Sequence, residues 1–247
     1  MVERETNLSL LVQKSGPANA VKHVENAVKQ QRMYEFHWDP MSTSQQRNES
    51  MSELDFDEEA RKLFHKIGLD PKGSQRGGGT SGYRSLYNPM DPIFKRGSST
   101  IFVGNQQAAQ NAQLLQKEGI THIINCTDSM PLFHPQSFKY YRFNISFFPS
   151  NGEEQLREFL RPMFEFVDSA FAEQGNVLVH CLAGAHRAGT TGCLLLMHLA
   201  DLPDQEAIRT AKRLRPVIDP IGRFPDLLRR FNAMRQTAGQ KSEEQSG

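Results

Sequence analysis

The sequence predicts an α/β fold: a central, mostly parallel, twisted sheet flanked by helices, preceded by a long, largely disordered N-terminal extension. Three observations point there. From Ser99 onward, strand-type and helix-type segments alternate. The run "NVLVHC" carries no charge, as expected of a strand buried on both faces. The segment "AGTTGCLLLMHLA" is apolar almost all round, as expected of a helix at the centre of the molecule. The expected organisation is an extension over 1–98, a folded domain over 99–236 and a flexible tail over 237–247.

The extension is polar and broken. "HWDPMSTSQQRNESMSE" and "DPKGSQRGGGTSGYRS" are rich in Gly, Ser, Gln and Pro and have little apolar surface to bury. Two short helices interrupt it. In "SELDFDEEARKLFHKIGLDP", Asp55 is placed to cap and Glu58 to reach back. Phe56, Ala60, Leu63, Phe64 and Ile67 share one face, and Gly68 with Pro71 ends the helix. In "ANAVKHVENAVKQQRM", Val21, Val24 and Val28 line one side. Both read as docking or transient helices rather than as a domain.

In the folded part, "STIFVGN" is a strand closed by Gly104, and "AAQNAQLLQKEG" a helix ended by Gly119. "ITHIINCT" is a second strand followed by the turn "DSMP", and "KYYRFNIS" a third strand. "EEQLREFLRPMFEFVDSAFAEQ" is a long helix that Pro162 should kink or break. "DQEAIRTAKRLRP" and "RFPDLLRRFNAMRQ" supply two further helices.

Composition excludes several classes. The 29 Lys and Arg nearly balance the 28 Asp and Glu, which argues against a general nucleic-acid binder. No apolar run approaches the roughly 18 residues of a membrane span. The start "MVERETNLSLLVQKSG" lacks the apolar core of a signal peptide, and no lipidation signal is present. Three cysteines do not build a disulfide framework. The expectation is an intracellular protein, cytoplasmic or nuclear, with reduced thiols.

The stretch from Val177 to Leu199 reads as one strand, one tight loop and one helix. Cys181 falls at the strand's carboxyl end, where α/β sheets bind ligands. Leu182, Ala183, Gly184, Ala185 and His186 form the loop, and Arg187 opens the helix. Loop amides make an anion nest, the helix adds its positive dipole end, and Arg187 offers a planar fork for phosphate oxygens. The same positive field favours the thiolate of Cys181. Gly184 and Gly189 allow the backbone to curl and approach closely. A thiolate in a phosphate-sized nest points to phosphoryl transfer through a phosphocysteine intermediate.

"VHCLAGAHRAGTTG" resembles the His-Cys-x5-Arg signature of the cysteine-dependent protein tyrosine phosphatases, and its "AG" after the cysteine resembles the dual-specificity branch. "IFVGN", "GITHIINCT" and "RLRPVIDP" are similar to further segments of that branch, over about residues 99–236. The resemblance implies a protein tyrosine phosphatase-like fold. It implies Cys181 as nucleophile and Arg187 as phosphate clamp, with the amides of 182–186 binding phosphate. His180 would set the environment of the cysteine. It implies a phosphoprotein substrate, and nothing in this chemistry requires a metal or cofactor.

Two departures qualify the match. The branch carries Ser or Thr directly after the arginine, where its hydroxyl stabilises the thiolate that leaves in the second step. Here that residue is Ala188, and Thr190 is the nearest substitute. The branch also places a proton-donating Asp after its third strand, where this chain has Phe147 or Phe148. Glu153, Glu154, Asp128 and His186 are candidate replacements. An enzyme acting on phosphotyrosine, with phosphoserine and phosphothreonine as further candidate substrates, is the leading reading. A phosphoprotein-binding pseudophosphatase is the alternative, and a lipid or RNA 5′-phosphatase ranks below both. Cys193 and Cys126 read as core, with Cys126 close enough in expectation to pair with an oxidised Cys181. Eight basic residues over 207–235 (Arg209, Lys212, Arg213, Arg215, Arg223, Arg229, Arg230, Arg235) face two acids, Asp219 and Asp226, and read as a solvated helical face.

Overall fold

A computed structural model describes residues 54–67 and 87–244. The candidate helix around Val21–Val28 lies outside the described residues. The elements are α1 (Phe56–Lys66), β1 (Met90–Arg96), β2 (Ser99–Gly104), α2 (Gln106–Gln110), α3 (Ala112–Lys117), β3 (Ile120–Asn125) and β4 (Lys139–Arg142). After a 3-10 turn at Ile145–Phe147 come α4 (Glu153–Ala172), β5 (Asn176–His180), α5 (Arg187–Ala200), α6 (Asp204–Leu214) and α7 (Phe224–Glu244). The strands lie in the order β1-β2-β5-β3-β4. β2, β5, β3 and β4 are parallel, and β1 closes one edge antiparallel to β2. The expected α/β class and largely parallel sheet are both present.

Side-chain alternation assigns the two faces. Phe102, Ile123 and Leu178 pack with Ala108, Ala109 and Leu115 of α2 and α3. Their strand neighbours Val103, Ile124, Val177 and Val179 point to the opposite face and are fully buried under the larger helices. β5 lies between β2 and β3, which accounts for its uncharged sequence. In α5 every residue from Arg187 to Met197 is buried. All three cysteines are free and buried. Among the described residues no helix is long and apolar enough to cross a membrane.

Five expectations are modified. The sheet begins at Met90, not Ser99, because β1 belongs to it. Pro92 is accommodated because β1 is an edge strand whose register shifts between Pro92 and Phe94. The expected single helix after β2 is two. Asn111 interrupts it, and its side chain accepts the Leu114 N–H at 3.0 Å, capping α3. β4 stops at Arg142, because the Asn144 side chain accepts the Ser146 N–H and turns the chain into a 3-10 helix. α4 runs unbroken through Pro162, and α7 continues to Glu244, past the expected start of the tail.

α1 forms where its cap and apolar face place it. Asp55 accepts the N–H groups of Asp57 and Glu58 at 2.9 and 3.0 Å. The Glu58 side chain bonds Arg61 at 3.3 Å, so the expected reach-back is replaced by a surface pair.

Candidate active site

β5 ends at His180, and Cys181 follows it, only 3 % exposed. From there the chain curls tightly into α5. The carbonyl groups decide the shape of the curl. Leu182 O accepts the Gln106 N–H at 3.1 Å, and Ala183 O accepts the Tyr87 hydroxyl at 2.8 Å. Gly184 O accepts Arg215 Nε at 3.0 Å, and Ala185 O accepts the Asp219 N–H at 3.1 Å. Four consecutive carbonyls are therefore tied to the outside. Because each peptide unit is planar and trans, the N–H groups of 183–186 are directed the other way, into the curl. The Gly184 N–H lies 3.3 Å from Cys181 Sγ.

Gly184 is required for this geometry. Its φ is +65°, and a Cβ there would stand 2.5 Å from Gly104 O and 2.9 Å from an Arg215 nitrogen. At Gly189 the reason is close packing: a Cβ would come within 3.0 Å of Ile218.

Arg215 is the chief support beneath the loop. It is fully buried. Besides Gly184 O, it donates to Asn88 O at 2.9 Å and pairs with Asp91 Oδ2 at 2.5 Å. Its guanidinium stands 5.3 Å from the Tyr87 ring centroid. Burial pushes the Tyr87 hydroxyl up to about 12, so it remains a donor to the loop. Asn88 in turn holds the other oxygen of Asp91 at 2.7 Å. Thus β1, through Asp91, anchors the arginine that shapes the loop. Arg215 was expected among the solvated basic residues and is instead a buried positioning residue.

Five of the other seven basic groups are also engaged. Lys212 pairs with Asp219 at 2.7 Å. Arg230 donates to Pro149 O at 2.6 Å and Gly152 O at 3.1 Å, and Arg223 donates to Ser150 Oγ at 2.8 Å. Arg229 pairs with Asp226, and Arg235 with Asp201. Much of this cluster fixes the 148–152 connection and helix ends rather than facing solvent freely.

Arg187 is the first residue of α5 and is 6 % exposed. Burial works against its charge, but the Cys181 sulfur and then Asp57 outweigh it and raise its pKa further. The guanidinium is therefore close enough to the Cys181 sulfur for their charges to interact. Leu182 is half-buried, while Ala183, Ala185 and His186 are buried. His186 Nδ1 lies 2.8 Å from Asp219 O, which as a carbonyl only accepts, so that nitrogen carries the proton.

His180 is fully buried, and among the described residues neither ring nitrogen has a hydrogen-bond partner. Burial, then the Arg142 charge, push its pKa down to about 3, with the Cys181 backbone pulling the other way. It is therefore a neutral imidazole under the loop. Thr190 Oγ1 donates to His186 O at 2.6 Å, so its hydroxyl is turned into the helix. Ala188 is fully buried. Cys126 bonds the Thr191 hydroxyl at 3.4 Å, and burial drives its thiol pKa well up.

The proton-donor segment is different. Phe148 is buried, 6.4 Å from Phe224 and 4.5 Å from the Arg223 guanidinium, while Phe147 is 49 % exposed. Glu153 and Glu154 are exposed in the first turn of α4, and Glu154 pairs with Arg157. Asp128 is exposed, with Arg142 as the charge it influences. The acid that does contact Arg187 is Asp57 of α1, which accepts from Arg187 Nη2. Sequence reading identified α1 as a docking helix but had no signal for where it docks, because the two residues are 130 positions apart.

The cup combines inward amides, a guanidinium and a sulfur, a donor set suited to a tetrahedral oxyanion with an electrophilic centre. The family described as dual specificity phosphatase, catalytic domain, matches residues 101–234, more than half of the chain. Mouse dual specificity protein phosphatase 14 is 33% identical over 123 residues, covering 50% of this chain and 61% of that protein. Human dual specificity protein phosphatase 16 is 31% identical over 168 residues, covering 64% of this chain and 24% of that protein. The chain thus spans between about a quarter and three fifths of these relatives' length. Two solved structures share the fold. The crystal structure of human DUSP28 gives a TM-score of 0.51 at 23% identity, covering 60% of this chain and 96% of that one. A mouse putative dual specificity phosphatase complexed with zinc tungstate gives 0.52 at 23% identity, covering 66% and 97%. With the signature loop, the sheet and the matched span in agreement, this chain belongs to the dual-specificity phosphatase family, within the cysteine-dependent protein tyrosine phosphatase superfamily.

Proposed function

We propose that the protein is a slow phosphatase that hydrolyses phosphotyrosine, and to a lesser extent phosphoserine and phosphothreonine, through a phosphocysteine intermediate. The observation that carries this reading is the set of four loop carbonyls bonded outward, which leaves the amides of 183–186 facing the sulfur and Arg187. In the first step the Cys181 thiolate attacks phosphorus, an S–P bond forms, and the P–O bond to the leaving phenolate breaks. Arg187 and the loop amides hold the three remaining oxygens as charge develops on them. In the second step water attacks phosphorus, the S–P bond breaks, and the thiolate and inorganic phosphate separate.

Both departures make this enzyme slow. Phenylalanine at 147 and 148 donates no proton, so the leaving oxygen takes its proton from solvent. General acid catalysis is worth about two to four decades, and a phenolate tolerates its loss better than an alkoxide. Phosphotyrosine is favoured for that reason. Ala188 supplies no hydroxyl to the departing thiolate, and the Thr190 hydroxyl is committed to His186 O. The second step is therefore the slower one.

A second reading rests on the same two departures: a phosphoprotein-binding module with little turnover. Assays with an activated aryl phosphate and with a phosphotyrosine peptide separate the two. Hydrolysis of both, with the activated ester faster, supports the enzyme. Phosphopeptide affinity without release of phosphate from either supports the binding module.

A further inference from the structure

α1 lies directly against the phosphate cup. Its Ala60, Phe64 and Ile67 form one buried cluster with Ala183 and Ala185 of the loop, with Leu63 and Leu182 packed beside them. Its first turn reaches the guanidinium. Asp57 accepts from Arg187 Nη2, and the Phe56 ring lies 5.9 Å from the Arg187 guanidinium carbon. Phe56 also stacks on Phe224 at 4.6 Å, fixing the turn against α7. The first-turn acids are not equivalent. Glu58 pairs with Arg61 and Glu59 with Lys62 on the helix surface, whereas Asp57 pairs with Arg187 at the start of α5.

A carboxylate meets a guanidinium fork as a pair of phosphate oxygens does. The Nη2 edge that faces Asp57 is closed to a phosphate while that contact holds. A substrate phosphate gripped through that edge takes the place that the carboxylate holds. The phosphate carries more charge and has oxygens to spare for the loop amides, so it displaces Asp57. The tethered carboxylate nonetheless competes at its own effective concentration. We propose that α1 is a built-in occupant of the cup: Asp57 stands on Arg187 where the substrate phosphate binds, and the apolar face of α1 holds it there by packing on the signature loop.

This rests on the reading that the cup binds phosphate, and its test does not require turnover. Inorganic phosphate is titrated calorimetrically into the full chain, Asp57→Asn and Ala60→Gln, and its inhibition of aryl phosphate hydrolysis is measured in parallel. Asp57→Asn removes the competing charge while leaving the helix in place. Ala60→Gln puts a longer, uncharged side chain into the face that packs on Ala183 and Ala185. Both variants are expected to bind phosphate more tightly, by about fivefold for the loss of one partly exposed ion pair. Unchanged or weaker phosphate affinity in Asp57→Asn overturns the proposal. So does a kcat that falls in Asp57→Asn more steeply for more basic leaving groups, which would make Asp57 a proton donor. Tighter phosphate binding with no hydrolysis by any of the proteins sinks the phosphatase reading alone. Normal hydrolysis with unaltered phosphate affinity sinks this proposal alone.

Discussion

The β5–α5 loop and the β4–α4 connection differ sharply. The β5–α5 loop is held by bonds on nearly every carbonyl, with Gly184 at the point where only glycine fits. The β4–α4 connection keeps its shape too, through Arg223 and Arg230, but presents phenylalanine where the family carries an acid. Under the proposed function, one segment would supply anion grip and nucleophile, and the other would protonate the leaving group. On that proposal, holding a phosphate and expelling its ester oxygen reside in separate pieces of chain, so one can persist intact while the other is lost.

The largest expected effect tests whether the intact segment is the chemical one. Cys181→Ser should lower aryl phosphate hydrolysis by about four orders of magnitude or more, while inorganic phosphate still binds. Equal loss of binding would place the sulfur in the binding set rather than in the reaction. Next comes the support beneath the loop. Arg215→Met leaves Asp91 buried without its cation and frees Gly184 O. It should cost about 3–5 kcal/mol in denaturant unfolding and weaken phosphate binding with it. A loss confined to stability, with phosphate binding unchanged, would show that the loop keeps its curl without Arg215.

Acidification probes the same segment from below. His180 has an ordinary value of 6.5 and a folded value of about 3. Between those values the unfolded chain binds the extra proton, so stability is fully present above pH 6.5 and declines as pH falls toward 3. The slope from this residue is up to about 1.4 kcal/mol per pH unit. His180→Asn should flatten that slope in thermal unfolding followed from pH 7 to 5. The smallest effect concerns the missing hydroxyl. Ala188→Ser should raise steady-state turnover by about tenfold if loss of the leaving thiolate limits the rate, and shorten the life of the phosphoenzyme in rapid-quench experiments.

Much of the frame was legible because its signals are local. The uncharged run of β5, the all-round apolar α5 and the Cys181–Arg187 spacing each lie within a few turns of chain. β1 was hidden by Pro92, which reads as a strand breaker until it is seen on an edge. Arg215 was one basic residue among eight, and charge alone does not say which is buried. The Asp91 that pairs with it lies 124 positions away. Asp57 was hidden for the same reason: its helix was readable from the Asp55 cap and apolar face, but the surface that this face covers is formed only when the signature loop folds.

The most direct measurement is an acid quench during turnover of an aryl phosphate, followed by peptide mass spectrometry. A phosphoryl group on the Cys181 peptide, absent from Cys181→Ser and longer-lived in the parent than in Ala188→Ser, is the expected result. Product formation with the phosphoryl group on another residue, or on none at any time after mixing, would contradict the assignment of Cys181 as nucleophile.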